Sequence, residues 1–383
     1  MDYVSHSQLS TYGSCRQKWY YGYVEKIKPK KTSSNFYFGT LFHLGLEMYY
    51  ANVRDGVLDN IYILDEIAKR HNYEVAKLSL HDFETKEQYE QIYTDVVSLV
   101  EWYIKRQDVA PFTNTFREQN APRFPEGFKV LGLEYSKQVS HANLKVPLFG
   151  RFDMVIEDPT TGHLYIVDHK TTKNVSEDMA TYYMDQAYFY MAMAAHITDD
   201  VIDPRRIKGV IFNCIKKSLP KQPKKSADGK KWNSVISNSG KPEAKGSLST
   251  DLVELLDFMD DNPDCYEYFM NDDETRTEIL TIYSDVKKQH NMGFYVPFNH
   301  EKVSKYTKYI NGATQDMEQT NFSTRNISKM ACGMCSYMDV CHVEHIDFDV
   351  TEANRIKREK FQLRDPSEYL DVVEEEYDSS LPD

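Results

Sequence analysis

Apolar residues return at intervals of three and four through the first hundred residues. Leu9, Tyr12, Trp19 and Tyr23 follow that spacing behind Ser5 and Ser7, either of which can cap, and predict a helix over residues 5–25. The basic, polar stretch 28–35 interrupts it. Helices are then expected over 36–50, 60–78 and 85–107, the last turning Val96, Val97, Val100 and Ile104 to one side. Beyond 111–127 the period changes. Residues 129–139, 144–157 and 163–169 read as consecutive strands, the second and third joined by the turn Asp158-Pro159-Thr160-Thr161-Gly162. A helix over 176–196 follows, then a strand over 207–215 with the buried run Val210, Ile211 and Phe212. Helical stretches at 250–290 and 298–318 complete the order. Three strands, a helix and a strand, flanked by helices, predict an α/β fold with a mixed central β-sheet.

A chain of 383 residues has room for one large core or for two domains. With 41% hydrophobic and 27% charged residues it is globular in composition, not disordered. No run approaches about 18 consecutive apolar residues, so no membrane-spanning helix is expected. Met1–Ser10 lacks the basic-then-apolar order of a secretory signal. The cytoplasm is the expected location, or the host cytoplasm if the chain is viral. Formal net charge is −13, so the global field does not draw the chain onto nucleic acid, although a local basic surface can. Such a surface is concentrated in one place: between Arg205 and Lys245 twelve Lys and Arg stand against two acids, Asp228 and Glu243. The tail 365–383 carries eight acids and no base and reads as solvated. The expected division is a helical part at 1–110, a core at 111–215, a basic insertion at 216–249, a second helical part at 250–364 and the acidic tail.

Candidate chemistry gathers at the ends of two strands. Asp168 and Lys170 are two apart, so they face the same way. A turn at 158–162 can bring Asp153, in Gly150-Arg151-Phe152-Asp153, beside Asp168 on the antiparallel partner. Two carboxylates and one ammonium would then meet at one end of the sheet. Carboxylate oxygens suit Mg²⁺ or Mn²⁺. The reaction such a group serves is phosphodiester hydrolysis: the ion polarises a phosphoryl oxygen and acidifies water, and the lysine orients that water and offsets developing charge. A salt bridge between Lys170 and one acid would leave the other acid unexplained. His43, among the apolar residues between Gly39 and Glu47, can add a neutral imidazole nitrogen. Gln186 and Tyr190 share one face of the following helix and can contact a phosphate or hold Lys170. Glu134 either approaches this group or faces solvent.

Six cysteines without a secretion signal point to thiols or metal ligation, not to a disulfide framework. Cys332, Cys335 and Cys341 form C-x₂-C-x₅-C, three ligands of a four-thiolate site. Cys15, Cys214 and Cys265 are candidates for the fourth. Composition alone does not separate zinc from iron–sulfur. With Cys15 as the fourth ligand the site would clasp two ends of the chain more than 300 residues apart.

Taken in order, these pieces resemble the RecB-type branch of the PD-(D/E)XK nucleases, and within it the iron–sulfur exonucleases, which include CRISPR-associated and phage members. Ser5-x-Ser7-x-Leu9-x₅-Cys15, followed by Trp19-Tyr20-Tyr21, looks like the family's N-terminal cysteine helix, and Gly39-x₃-His43 looks like its histidine motif. Glu134, Gly150-x₂-Asp153, Asp168-x-Lys170 and Gln186-x₃-Tyr190 follow in family order, and the C-terminal cysteines close the series. The resemblance implies a restriction-endonuclease-like core whose helical N- and C-terminal parts are joined by a [4Fe–4S] cluster on Cys15, Cys332, Cys335 and Cys341. It further implies metal ligation by His43, Asp153, Asp168 and the carbonyl of His169, with Lys170 as the catalytic lysine and Gln186 and Tyr190 in support. Arg16 stands where the family often has Pro, and the basic insertion is not shared. Neither departure touches a metal ligand.

The function this resemblance implies is a Mg²⁺- or Mn²⁺-dependent deoxyribonuclease. It would be an exonuclease working from single-stranded DNA ends, in phage or CRISPR-type processing or in recombination, where protein partners would join it. Lys216, Lys217, Lys224, Lys225, Lys230 and Lys231 offer backbone contacts, and Trp232 a base stack of about 1–3 kcal/mol. The alternative is a non-catalytic DNA-binding or adaptor protein that keeps the nuclease fold, against which the intact Asp153, Asp168 and Lys170 argue. A zinc protein with a structural four-thiolate site is the third reading.

Overall fold

Five strands build the central sheet: β1 (Lys129–Val139), β2 (Leu148–Glu157), β3 (Leu164–Thr172), β4 (Ile207–Lys216) and β5 (Asn291–Pro297), lying in that order across it. The computed structural model describes residues 1–30, 33–57, 59–78, 83–109, 127–173, 179–197, 199–233, 235–237, 247–248, 252–281, 290–319, 325–327, 332–333 and 335–364. The main helices are α1 (His6–Ser14), α2 (Ser34–Asp55), α3 (Asn60–Ala76), α4 (Phe83–Val109), α5 (Met184–Ala194), α6 (Leu252–Asp261), α7 (Pro263–Met270), α8 (Asp273–Thr281), α9 (His300–Gln319), α10 (Met338–His345) and α11 (Val350–Lys360).

Strands β1–β2, β2–β3 and β4–β5 pair antiparallel, and β3–β4 pair parallel. A parallel pair needs a crossover, and α5 lies within it. Strands β3 and β4 are near-continuous apolar runs because the sheet is covered on both faces. Alternate residues go to opposite layers. Leu164, Ile166, Val210 and Phe212 join one core with residues of α1, α5 and α9, while Tyr165, Val167, Ile211 and Ile215 join the other with α2, α3 and α4. Helix α2 approaches its neighbours at Gly45, where a Cβ would stand 2.8 Å from Val100 Cγ2 and 3.0 Å from Ile67 Cδ1.

Two smaller cores lie apart. Val235, Leu255, Met259, Cys265 and Phe269 pack α6 and α7 on the basic insertion. Tyr21, Ile27, Tyr337, Val340, Ile356 and Phe361 join the chain's early and late parts, where Ile27–Pro29 pairs antiparallel with Phe361–Leu363.

Several element boundaries differ from expectation. The helix over 5–25 breaks at Cys15, which is extended at φ −163° and ψ 116°. Its N–H still closes α1 on the Thr11 carbonyl, and its carbonyl opens the next helix by accepting from Trp19. A one-residue break leaves the apolar spacing almost intact, so periodicity does not register it. The second strand starts at Leu148, not at 144. The helix over 176–196 is split at Tyr183 into Met179–Tyr182 and α5. Among the described residues of 250–290 there are three helices, Pro263 restarting the chain at the head of α7. Strand β5 falls between the two predicted helical stretches, since only the open edge of β4 makes Asn291–Pro297 a strand. Residues 111–126 and the acidic tail lie outside the described residues. Among those described, no helix is long and apolar enough to cross a membrane.

Candidate active site

Asp153 sits where the pairing of β2 with β3 ends. Met154 is opposite Val167, and just beyond it Asp153 Oδ2 accepts the backbone N–H of His169 at 2.7 Å. Asp168 and Lys170 face the same way, as strand geometry requires, and Lys170 Nζ lies 2.5 Å from Asp168 Oδ2. From α5, Gln186 Nε2 donates to Asp168 Oδ1 at 2.9 Å and to the Tyr190 hydroxyl at 2.7 Å. That hydroxyl donates to the same Oδ1 at 3.0 Å. The Gln186–Tyr190 pair therefore holds Asp168, and through it Lys170.

Among the described residues, His43, Glu134 and Asp153 each bring a donor atom to one place, all within 4.8 Å of one another. His43, on α2, places Nδ1 3.4 Å from Asp153 Oδ2. Glu134 lies on β1 across from Asp153, between the pairs Leu133–Met154 and Tyr135–Phe152. Its φ is +43°, a left-handed conformation that costs a residue with a Cβ about 1–2 kcal/mol. Arg151 Nε holds its carboxylate at 2.8 Å. Burial, then Asp153, push the Glu134 carboxyl up to about 8, with Arg151 opposing. Burial, then Asp168, likewise hold Asp153 above the ordinary carboxyl range, against His43, Lys170 and the His169 N–H. Two half-buried acids raised in this way are relieved by a cation between them. Oxygen donors with one imidazole nitrogen fit Mg²⁺ or Mn²⁺.

Asp168, expected as a ligand, is outside this group of three, its oxygens turned to Lys170, Gln186 and Tyr190. Glu134 belongs to it instead. The sequence signal for Glu134 was its place on the first strand, which becomes informative only once the register is known. Burial pulls the Lys170 ammonium down, but Asp168 and Asp153 more than offset this, and the group titrates above its ordinary value.

His169 is buried, and its ring stacks on Tyr50 with centroids 5.5 Å apart and planes 7° from parallel. Asn213 Nδ2 donates to His169 Nδ1 and to the Tyr103 hydroxyl, both at 2.9 Å, and that hydroxyl meets Tyr50 at 2.6 Å. Burial, then His43 and Lys170, hold the imidazole well below its usual titration, so it is neutral.

Asp153, Asp168, Lys170 and His43 open into a pocket of about 550 Å³ whose wall includes Ser5, His6, Ser7, Arg151 and Arg364. His6 carries no sequence signal of its own. Burial, then Lys170, lower it to about 4, so it faces the lysine uncharged. A second pocket of about 470 Å³ adjoins at His43 and Arg151 and is lined also by Glu47, Arg70 and Glu134.

A mixed sheet that presents acids from adjacent strands, and a lysine two residues beyond one of them, defines a nuclease core of restriction-endonuclease type. The chain belongs to the PD-(D/E)XK nuclease superfamily, whose family model matches residues 3–342. Membership implies a metal-dependent nuclease with DNA as its substrate. No curated protein matches the chain.

Cys15 stands at the break after α1, Cys332 and Cys335 precede α10, and Cys341 lies within it. Asn326 bridges the two places: its Nδ2 donates to the Ser14 carbonyl at 2.9 Å, and its own carbonyl lies 3.9 Å from Cys332 Sγ. Burial pushes the Cys341 thiol up to about 11; Arg325 opposes this, while Cys15, Cys335 and Cys332 add to it. Four half-buried free thiols, three of them near enough to act on Cys341, have the donor chemistry of a zinc or iron–sulfur site, although among the described residues their sulfurs do not form a group within 4.8 Å of one another. Cys265 lies in the small core with Leu255 and Phe269, and Cys214 is buried in β4.

The basic segment does not present a uniform face. Lys216 is buried at the end of β4. Lys217 Nζ donates to Asn35 Oδ1 at 3.1 Å, at the head of α2. Lys225 pairs with Asp264 at 2.6 Å and sits over the Trp232 ring. That ring is half-buried and edge-on to Phe258. Lys224, Lys230 and Lys231 are exposed.

Proposed function

We propose that the protein is a Mg²⁺- or Mn²⁺-dependent DNA exonuclease that works from single-stranded ends and carries a [4Fe–4S] cluster on Cys15, Cys332, Cys335 and Cys341. One observation carries the catalytic part: His43, Glu134 and Asp153 converge beside a lysine held by Asp168. The resemblance and the neighbouring thiols support the cluster. The preference for single-stranded ends rests on the resemblance.

His43, Glu134 and Asp153 would hold the ion; the resemblance adds Asp168 and the His169 carbonyl as further ligands. When bound, a divalent cation supplies Lewis-acid polarisation of the scissile phosphate and acidifies water. Lys170 remains an ammonium beside Asp168. It therefore acts as a donor that orients the attacking water and offsets charge on the phosphate, and it does not accept a proton. Gln186 and Tyr190 fix Asp168, so the ammonium is already in place before the substrate arrives.

The test is incubation of end-labelled single- and double-stranded DNA with and without Mn²⁺. Mn²⁺-dependent release of short products from single strands is expected, falling about 10²- to 10³-fold in Lys170→Ala with the fold retained. Full activity in that variant sinks the assigned site, and binding of ends without any product favours an adaptor.

A further inference from the structure

We propose that Phe36 is a stacking platform for the nucleobase beside the scissile phosphate, over which a single strand passes from one pocket to the other. This rests on the nuclease reading and adds a substrate contact to it. The two pockets share Phe36, His43 and Arg151, so the place where they join is also the place where a metal ligand stands. Phe36 lies in the first turn of α2, seven residues before His43, and that spacing returns it to the same stripe of the helix.

The ring is 76% exposed. The other aromatic side chains lining these pockets are buried or half-buried and already engaged. Tyr3 packs on Phe149, Phe189 on His6 and Tyr190 on Phe152. A scattered exposed apolar residue needs no explanation in general. Ile61 and Phe348 are more exposed still, but neither lines a pocket at the metal-binding group. Phe36 alone combines exposure with that position among the described aromatic residues of the two pockets.

Cations accompany it. Arg151 lines both pockets, and Lys217 is anchored on Asn35, the residue next to Phe36. An aromatic face with cations beside it is the combination that grips single-stranded nucleic acid without regard to sequence, since every base offers a π-face. Trp232 is less suited to the role, because Lys225 and Phe258 already cover it.

The experiment compares wild type, Phe36→Ala and Phe36→Trp for binding of a single-stranded oligonucleotide without divalent ions, and for cleavage of the same oligonucleotide with Mn²⁺. Phe36→Ala is expected to weaken binding about 5- to 100-fold, with Phe36→Trp at or above wild type. The slope of affinity against salt should not change, because a stack releases no counterions. An abasic residue at the nucleotide beside the cut should weaken wild type and leave Phe36→Ala unmoved. Equal binding by wild type and Phe36→Ala, or equal loss in both variants, overturns the platform while Mn²⁺-dependent cleavage by wild type keeps the nuclease reading. A wild type that neither binds nor cuts removes both.

Discussion

At the scale of single residues the site is a balance of charge in a half-buried place. Glu134 and Asp153 are two acids held above their ordinary range, first by burial and then by a neighbouring carboxylate, Asp153 acting on Glu134 and Asp168 on Asp153. Folded protein therefore keeps protons that the unfolded chain has released. For Glu134 the window runs from the ordinary 4.5 to about 8, and across it metal-free stability falls as pH rises. A divalent cation replaces those protons and recovers the loss. Thermal melts are thus expected to show a larger Mn²⁺-induced rise at about pH 8.5 than at about pH 6. Glu134→Gln should remove most of that difference. An equal Mn²⁺ effect at both pH values would take Glu134 out of the metal group. The Asp-x-Lys spacing was legible because a strand has a period of two. The sequence leaves Glu134 between the metal group and solvent, because its left-handed φ and its place opposite Asp153 on β2 are properties of the folded sheet.

Elements convert these residues into a fixed geometry. The end of β3 is keyed from beneath: His169 holds Asp153 by its backbone, while its ring is gripped by Asn213 from β4 and Tyr50 from α2, both of which meet the Tyr103 hydroxyl from α4. Removing Asn213 would leave His169 Nδ1 and the Tyr103 hydroxyl short of a partner in a buried place. Asn213→Ala is therefore expected to cost about 1–3 kcal/mol, read by urea denaturation. A change within a few tenths of a kcal/mol would mean that water or a neighbour fills the gap. Strands β1 to β4 were legible from their alternating or continuous apolar patterns and turn residues. Strand β5 was not, since seven residues beside a helix become a strand only by finding the edge of β4. The break at Cys15 was hidden for a related reason: one extended residue barely shifts a helical period.

Across the whole molecule, distant parts of the chain are tied at one place. Arg16 pairs with Asp316 at 2.7 Å, Lys357 with Glu25 at 3.0 Å, and the Tyr337 hydroxyl donates to the Ile27 carbonyl at 2.8 Å. The four thiols lie in this same region. If they hold a cluster, Cys15→Ser should give a paler protein with less iron and a lower melting temperature, while zinc in a colourless wild type would replace iron–sulfur as the occupant. Retention of full iron content by Cys15→Ser would remove Cys15 from the ligand set. The charge of −13 is no obstacle to DNA, because the cations near the pockets act within roughly the 10 Å over which salt leaves a field unscreened.

The sequence by itself determined the α/β class, the order of β1 to β4, the Asp168–Lys170 pair and the spacing of the C-terminal cysteines, because each is written in short-range period or spacing. Tertiary structure alone decided that Glu134 joins Asp153 and His43, that Asp168 turns to Gln186 and Tyr190, and that Phe36 stands bare between two pockets. Those outcomes depend on strand register, helix docking and burial, which bring together residues whose separation along the chain carries no trace of their meeting.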